Sequence, residues 1–258
     1  MSCIFKRVTA LLVLPATALF FISSVDRKDE GRCFAFDQTM AAQLGQHLVV
    51  GLPSTSLDEN SEAILRRIKP AGIVLYSRNY KSIEQLKGFV NKLQAIGKEE
   101  TGLPYFIMMD EEPQGATRLG LFMNVFILGL PDWQKIERNA KILSDIGINV
   151  DLAPLADFPY NGNSFIKRRI PADNEANLIQ FNMTFIGLLH RYGILSTLKH
   201  FPGLGVFEDD PHKKIPHSYT SEEMFRRSLR LFQSGVESGG DFVMTGHAIY
   251  ENSDPNNP

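Results

Sequence analysis

The sequence predicts an α/β fold built on a parallel sheet covered by helices, and three observations lead there. Apolar, β-prone runs alternate with runs of helical apolar spacing along most of the chain. The strand-like runs are apolar almost throughout, as strands buried on both faces are. Polar side chains gather where those runs end: Arg78 and Asn79, Asp110 to Glu112, Asp157, Lys199 and His200, and His247. Alternation alone leaves two architectures open, a doubly wound open sheet and a closed barrel.

The elements follow in order. "QHLVVGLP" (Gln46 to Pro53) reads as the first strand, "SEAILRRIKP" as a helix starting at a Ser61 cap, and "AGIVLYS" (Ala71 to Ser77) as the second strand. "SIEQLKGFVNKLQAIGKEE" has helical spacing with Ser82 as its cap, and "PYFIMMD" (Pro104 to Asp110) is a third buried strand. "DWQKIERNAKILSDIG" is a helix that stops at Gly147, "INVDLAPLADF" (Ile148 to Phe158) a fourth strand, and "NEANLIQFNMTFIGLLHRYG" a long helix ending at Gly193. "ILSTLKHF" is the fifth strand. "TSEEMFRRSLRLFQSGVESGG" carries a capping box at Thr220 or Ser221 and a stop at Gly239, and "DFVMTGHAIY" is the sixth strand. The pattern amounts to about six β/α units.

Composition is that of an ordinary globular protein, with 258 residues, 43% hydrophobic and 22% charged, enough for a sizeable core. A formal net charge of -2, without Lys/Arg runs interleaved with aromatics, argues against nucleic acid as a partner. At the N-terminus "MSCIFKR" is basic, and "VTALLVLPATALFFI" (Val8 to Ile22) has the length of a signal-peptide core and is short for a membrane span. Residues 1–25 therefore read as a signal peptide or retained anchor, 26–40 as a polar lead-in, and the protein as exported: periplasmic, extracellular or membrane-anchored. Any membrane association is expected through that segment alone. Cys3 and Cys33 form neither a disulfide framework nor a metal motif.

"GLPSTSLDEN" after the first strand has neither G-x-G-x-x-G nor G-K-[ST], so nucleotide binding loses its main support. Polar residues at the C-terminal ends of several strands are where parallel barrels build their sites. Asp110 can accept hydrogen bonds from adjacent sugar hydroxyls, and Arg118 can bind another oxygen or hold the carboxylate; capping plus a structural ion pair is the plainer alternative. Lys199 and His200 close the fifth strand, and alternation sends them to opposite faces unless the strand is already breaking at Phe201-Pro202. In "EDDPHKK" a carboxylate, Asp210, stands two residues from His212, a pairing that suits a general acid/base and equally resembles a solvated turn.

"KHFPGLGVFEDDPHKKIP" resembles the signature of glycoside hydrolase family 3, in its bacterial β-N-acetylglucosaminidase branch, where K-H-F-P-G-H-G precedes D-[ST]-H-x-x-[LI]-P. "GQHLVVGLP", "GIVLYSRN", "MMDEEPQGATRL" against D-Q-E-G-G-x-V-x-R-L, "GINVDLAPLADF" and "FVMTGHAIY" agree in order, over residues 41–258. The resemblance implies a (β/α)8 TIM-type barrel, here incomplete. It also implies removal of terminal β-linked N-acetylglucosamine from peptidoglycan fragments, including muropeptides, or chitin-like oligosaccharides, with retention of configuration and no cofactor. By the same resemblance His212 is the general acid/base with Asp210 as its partner, and Asp110, Arg118, Lys199 and His200 match sugar-binding positions. The family's I-G-x-R-S-F-G arginine falls on Arg168 when Asp173 is aligned, or on Arg169 if the loop differs by one residue; Arg168 is preferred.

Three departures accompany the matches. The paired glycines after the acidic residues are Pro113 and Gln114, and the second His of K-H-F-P-G-H-G is Leu204. The family's nucleophile is an Asp in an S-D-D-like motif, and the sequence contains no such motif. The chain is accordingly expected to be the N-terminal part of a longer protein, a truncated gene product, or dependent on another chain. A non-catalytic carbohydrate-binding remnant of the fold is the alternative function. A doubly wound protein of unrelated function is the third reading, distinguished by helices on both faces of the sheet.

Overall fold

The computed structural model describes residues 43–127, 129–251 and 254–256. Residues 1–40, with both cysteines, lie outside them.

Six parallel strands form one sheet in strict chain order: β1 (Val49–Gly51), β2 (Gly72–Val74), β3 (Phe106–Met109), β4 (Val150–Asp151), β5 (Leu195–Phe201) and β6 (Phe242–Thr245). Between successive strands run α1 (Glu59–Ile68), α2 (Ile83–Thr101), α3 (Trp133–Ile146), α4 (Glu175–Arg191) and α5 (Glu222–Glu237). The described residues thus hold five complete β/α units and a sixth strand.

Alternation along the strands separates two apolar layers. Ile73, Ile107 and Met109 face outward and pack under the helices with Leu86, Phe89, Leu143, Phe185 and Leu189. Val49, Val74, Met108, Val150 and Phe242 form an inner layer contributed by strands and strand ends alone. The rings of Phe106 on β3 and Phe242 on β6 meet edge to face at 5.6 Å, although two strands separate them in the sheet. Contact across that gap requires the sheet to curl. Helices on one face and a curled inner layer are those of an incomplete TIM-type barrel, and they dispose of the doubly wound reading.

Local chemistry sets the helix ends. The side chains of Ser82, Asp132, Asn174 and Ser221 each accept a backbone N–H three residues on, satisfying a donor that the first turn leaves free. For α1 the cap is Asp58, not Ser61: the Asp58 carboxylate accepts from the Ser61 amide at 2.6 Å, so the helix starts earlier than the sequence suggested. The fourth strand is also shorter than expected. Its ladder covers Val150–Asp151, while Leu155 forms a single bridge to Lys199 beyond Pro154, which has no N–H to donate.

Between β3 and α3 the chain forms a small antiparallel ribbon, Phe126–Ile127 with Leu130–Pro131, that the sequence did not reveal. It is held by an aromatic row in which Phe126 and Trp133 pack on Phe181, and Phe181 and Phe122 on Phe185. Phe185→Ala should therefore loosen the outer layer and the ribbon together, lowering stability by about 3–5 kcal/mol, measured as a fall in the urea midpoint at unchanged m-value.

Candidate active site

The C-terminal ends of β3 and β5 bring together a row of alternating charges. Lys199, on β5, is fully buried, and its Nζ lies 2.8 Å from Asp110 Oδ1 and 2.6 Å from Glu112 Oε1, both just beyond β3. Arg118 grips the other Asp110 oxygen through Nη2 at 2.6 Å and Nε at 3.2 Å. Arg169 donates to both Glu112 oxygens, Nη2 to Oε1 at 2.6 Å and Nε to Oε2 at 3.0 Å. Three cations and two carboxylates share one row, Arg118–Asp110–Lys199–Glu112–Arg169.

Burial pushes the Asp110 and Glu112 carboxyls up, but the cations beside them win. Lys199 and Arg118 hold Asp110 at about 2, and Lys199 and Arg169 hold Glu112 at about 2. Burial likewise works against the Lys199 ammonium, and Asp110 and Glu112 outweigh it, so its pKa is raised. Two further carboxyls lie beneath. Glu111 accepts from the amides of Arg118 and Leu119, each at 2.6 Å, which closes the 111–119 loop, yet burial leaves its pKa raised. Asp151, fully buried, accepts from the Glu111 amide at 3.0 Å, and burial first, with Glu111 and Asp110 nearby, drives its pKa well up.

Why the loop after β3 takes this shape is visible at two positions. A Cβ on Gly115 would lie 1.7 Å from Glu112 Oε2, so only glycine lets that carboxylate reach the row. Gln114, where the family pattern has glycine, sits at φ 67°, in the left-handed region that glycine adopts freely.

Lys199 and His200 both turn toward the rim because the β5–β6 register shifts between Lys199 and Phe201, a bulge that ends strict alternation. His200 leaves the row and pairs with Asp157, Nδ1 to Oδ2 at 2.8 Å. Leu204, in place of the family histidine, is buried with Phe207 and Ala248 and pins the following loop. In that loop a Cβ on Gly205 would lie 1.6 Å from the Phe158 carbonyl oxygen, which explains glycine there.

Asp210 and His212 form their own pair on this loop: Oδ1 accepts from the His212 amide at 2.9 Å and lies 2.8 Å from Nδ1. The His212 amide and ring together lower the Asp210 pKa. The His212 side chain is 79% exposed, so its ring is open to solvent, and no hydrogen bond links the pair to the buried row among the described residues.

Of the two arginines that the sequence offered, the one not preferred is the one that meets the row. Arg168 is exposed on a short 3-10 turn (Lys167–Arg169), whereas Arg169 on the same turn reaches Glu112. Sequence reasoning placed Glu112 and Asp157 at the rim without giving them work. The signal was present for Glu112, as the third of three successive acids at a strand end; for Asp157 nothing in spacing pointed to a histidine forty-three residues away. No group of three or more His, Cys, Asp or Glu side chains able to hold a metal ion occurs among the described residues, and none of the described helices is long and apolar enough to cross a membrane.

Residues 37–258 match the glycosyl hydrolase family 3 N-terminal domain. The chain belongs to that family. Among its curated relatives, the beta-hexosaminidase of Stenotrophomonas maltophilia (strain K279a) is 28% identical over 219 residues, covering 79% of this chain and 64% of the relative. The beta-hexosaminidase of Histophilus somni (strain 129Pt) is 29% identical over 224 residues, 80% of this chain and 62% of the relative. The chain thus spans less than two thirds of the length of these relatives. Native NagZ from Neisseria gonorrhoeae superposes with a TM-score of 0.69 at 25% identity, over 81% of this chain and 65% of that one. A family 3 beta-N-acetylglucosaminidase from Paenibacillus sp. str. FPU-7 shares the fold with a TM-score of 0.74 at 24% identity, over 85% of this chain and 44% of that one.

The row also sets a pH dependence. Asp110 and Glu112 have folded pKa values depressed below the ordinary carboxylate range. Their contribution to stability is present above about pH 4–4.5 and is lost as pH falls through about 2. Lys199→Met removes the shared cation, leaves two buried carboxylates facing one another, and should lower stability at pH 7 by about 3–5 kcal/mol. Chemical denaturation should show that loss shrinking at pH 3, where the variant's carboxyls are protonated; an equal loss at both pH values would refute the charge account.

Proposed function

We propose that this family 3 chain forms the sugar-binding and proton-transferring part of a β-N-acetylglucosaminidase, acting on terminal β-linked N-acetylglucosamine of peptidoglycan fragments or chitin-like oligosaccharides. The observation that carries the reading is the buried Arg118–Asp110–Lys199–Glu112–Arg169 row at the strand ends, with an Asp210–His212 pair on the loop after β5. Hydroxyls on a sugar ring both donate and accept, so fixed carboxylates beside fixed N–H groups match them. In this reading Asp110, Arg118, Lys199 and His200 hold the sugar. Arg169 takes the place first given to Arg168.

His212 protonates the glycosidic oxygen as its bond to the anomeric carbon breaks, then takes a proton from the water that completes hydrolysis. Asp210 orients the ring through Nδ1 and leaves Nε2 to move the proton. Retention also requires a carboxylate roughly 5 Å from the acid/base group, and the proposal assigns that nucleophile to no residue of this sequence. An export segment at residues 1–25 would deliver the site to the compartment where such polymers lie.

The alternative reading is sugar binding without turnover. One set of measurements addresses both. Asp110→Ala should abolish calorimetric binding of N-acetylglucosamine by the full chain. If the chain releases p-nitrophenol from p-nitrophenyl N-acetyl-β-D-glucosaminide, His212→Ala should slow that release about 10²–10⁴-fold with binding retained. Binding without release by the unaltered chain selects the non-catalytic role; binding unaffected by Asp110→Ala sinks the site assignment.

A further inference from the structure

We infer that Asp157 is a positioning residue that holds His200 as the Nδ1–H tautomer, so that Nε2 faces the rim as a hydrogen-bond acceptor for a sugar hydroxyl. Which ligand meets that nitrogen rests on the carbohydrate reading above; which nitrogen carries the proton does not.

Asp157 is completely buried where the chain leaves the β4 side of the sheet, and one short stretch satisfies both its oxygens. Oδ1 accepts from the Leu204 amide at 2.7 Å, and Oδ2 accepts from the His200 amide at 3.1 Å while lying 2.8 Å from His200 Nδ1. Backbone amides can only donate, so each oxygen already accepts one proton, an arrangement suited to a carboxylate rather than a carboxylic acid. The third partner, Nδ1, must then be the donor. A neutral imidazole with its proton on Nδ1 has a lone pair on Nε2, and Nε2 makes no hydrogen bond to any described residue.

The frame around the pair keeps it rigid. The Ala156 amide donates to the Lys199 carbonyl at 2.8 Å, tying the two strand ends together directly before Asp157 and His200. Gly203, next to Leu204, has no room for a side chain: a Cβ there would lie 1.8 Å from Ser228 Oγ. Rotation of the ring would break the Nδ1 contact to Asp157, while the shared amide bonds keep the carboxylate in place.

The chemical consequence is a division of labour at the rim. Lys199, Arg118 and Arg169 offer only donors, and Asp110 and Glu112, which accept from them, keep only part of their accepting capacity for a sugar. A hydroxyl accepting from a cation must still place its own proton, and His200 Nε2 is a neutral lone pair able to take it.

The test uses the full chain, labelled with ¹⁵N-histidine, at about pH 8 where an ordinary imidazole is neutral. Two-bond ¹H–¹⁵N correlations should show an Nδ1–H histidine that is lost in His200→Gln, separate from any such signal of His212. Asp157→Asn replaces one acceptor with an NH₂ donor, should switch His200 to Nε2–H, and should weaken N-acetylglucosamine binding on the order of tenfold. An Nε2–H tautomer in the unaltered chain overturns the inference, whether or not the variant folds. So does an Asp157→Asn chain that keeps Nδ1–H. An Nδ1–H ring in an unaltered chain that fails to bind N-acetylglucosamine would uphold the positioning role and overturn the sugar-acceptor role along with the carbohydrate reading.

Discussion

The buried ammonium of Lys199 is the interaction on which the rim depends. An isolated charge at full burial would be prohibitive, and an isolated buried carboxylate equally so. Lys199 is tolerable because Asp110 and Glu112 face it, and each of those is tolerable because an arginine also pairs with it. The row therefore couples β3, β5, the loop after β3 and the short turn at Lys167–Arg169.

Much of the surrounding architecture can be understood as support for that row. The curl of the sheet sets the ends of β3 and β5 facing one another across β4. The bulge after Lys199 lets consecutive residues serve neighbouring tasks, Lys199 in the row and His200 against Asp157. Glycine at 115 and the left-handed backbone at Gln114 fold the acidic loop tightly enough for Glu112 to turn inward. Beneath the row lie Asp151 and Glu111, whose pKa values burial raises.

The Asp210–His212 pair has a different physical character. Its hydrogen bonds are local and its histidine is open to solvent, so the same chemistry that is locked at Lys199 is here held only by a two-residue loop geometry. A proton-transfer group that must meet a leaving oxygen gains from access, whereas groups that hold a sugar gain from rigidity. The two halves of the proposed site divide along that line.

Periodicity by itself determined the six strands and the helices between them, because burial on both faces writes continuous apolar runs that survive in a single sequence; their order in the sheet came from the structure. Caps at Ser82 and at Thr220 or Ser221 were equally legible, since a cap acts within three residues of itself. The Ser61 cap was misplaced because Asp58, three residues earlier, accepts from the Ser61 amide and starts the helix sooner, which only the folded turn shows. Motif resemblance brought Asp110, Arg118, Lys199, His200, Asp210 and His212 forward. What only the tertiary structure decided was pairing across long separations: Glu112 with Lys199 and Arg169, Arg169 instead of Arg168, and Asp157 with His200. A buried charge chooses its partner by distance in space, and spacing along the chain carries no record of that distance.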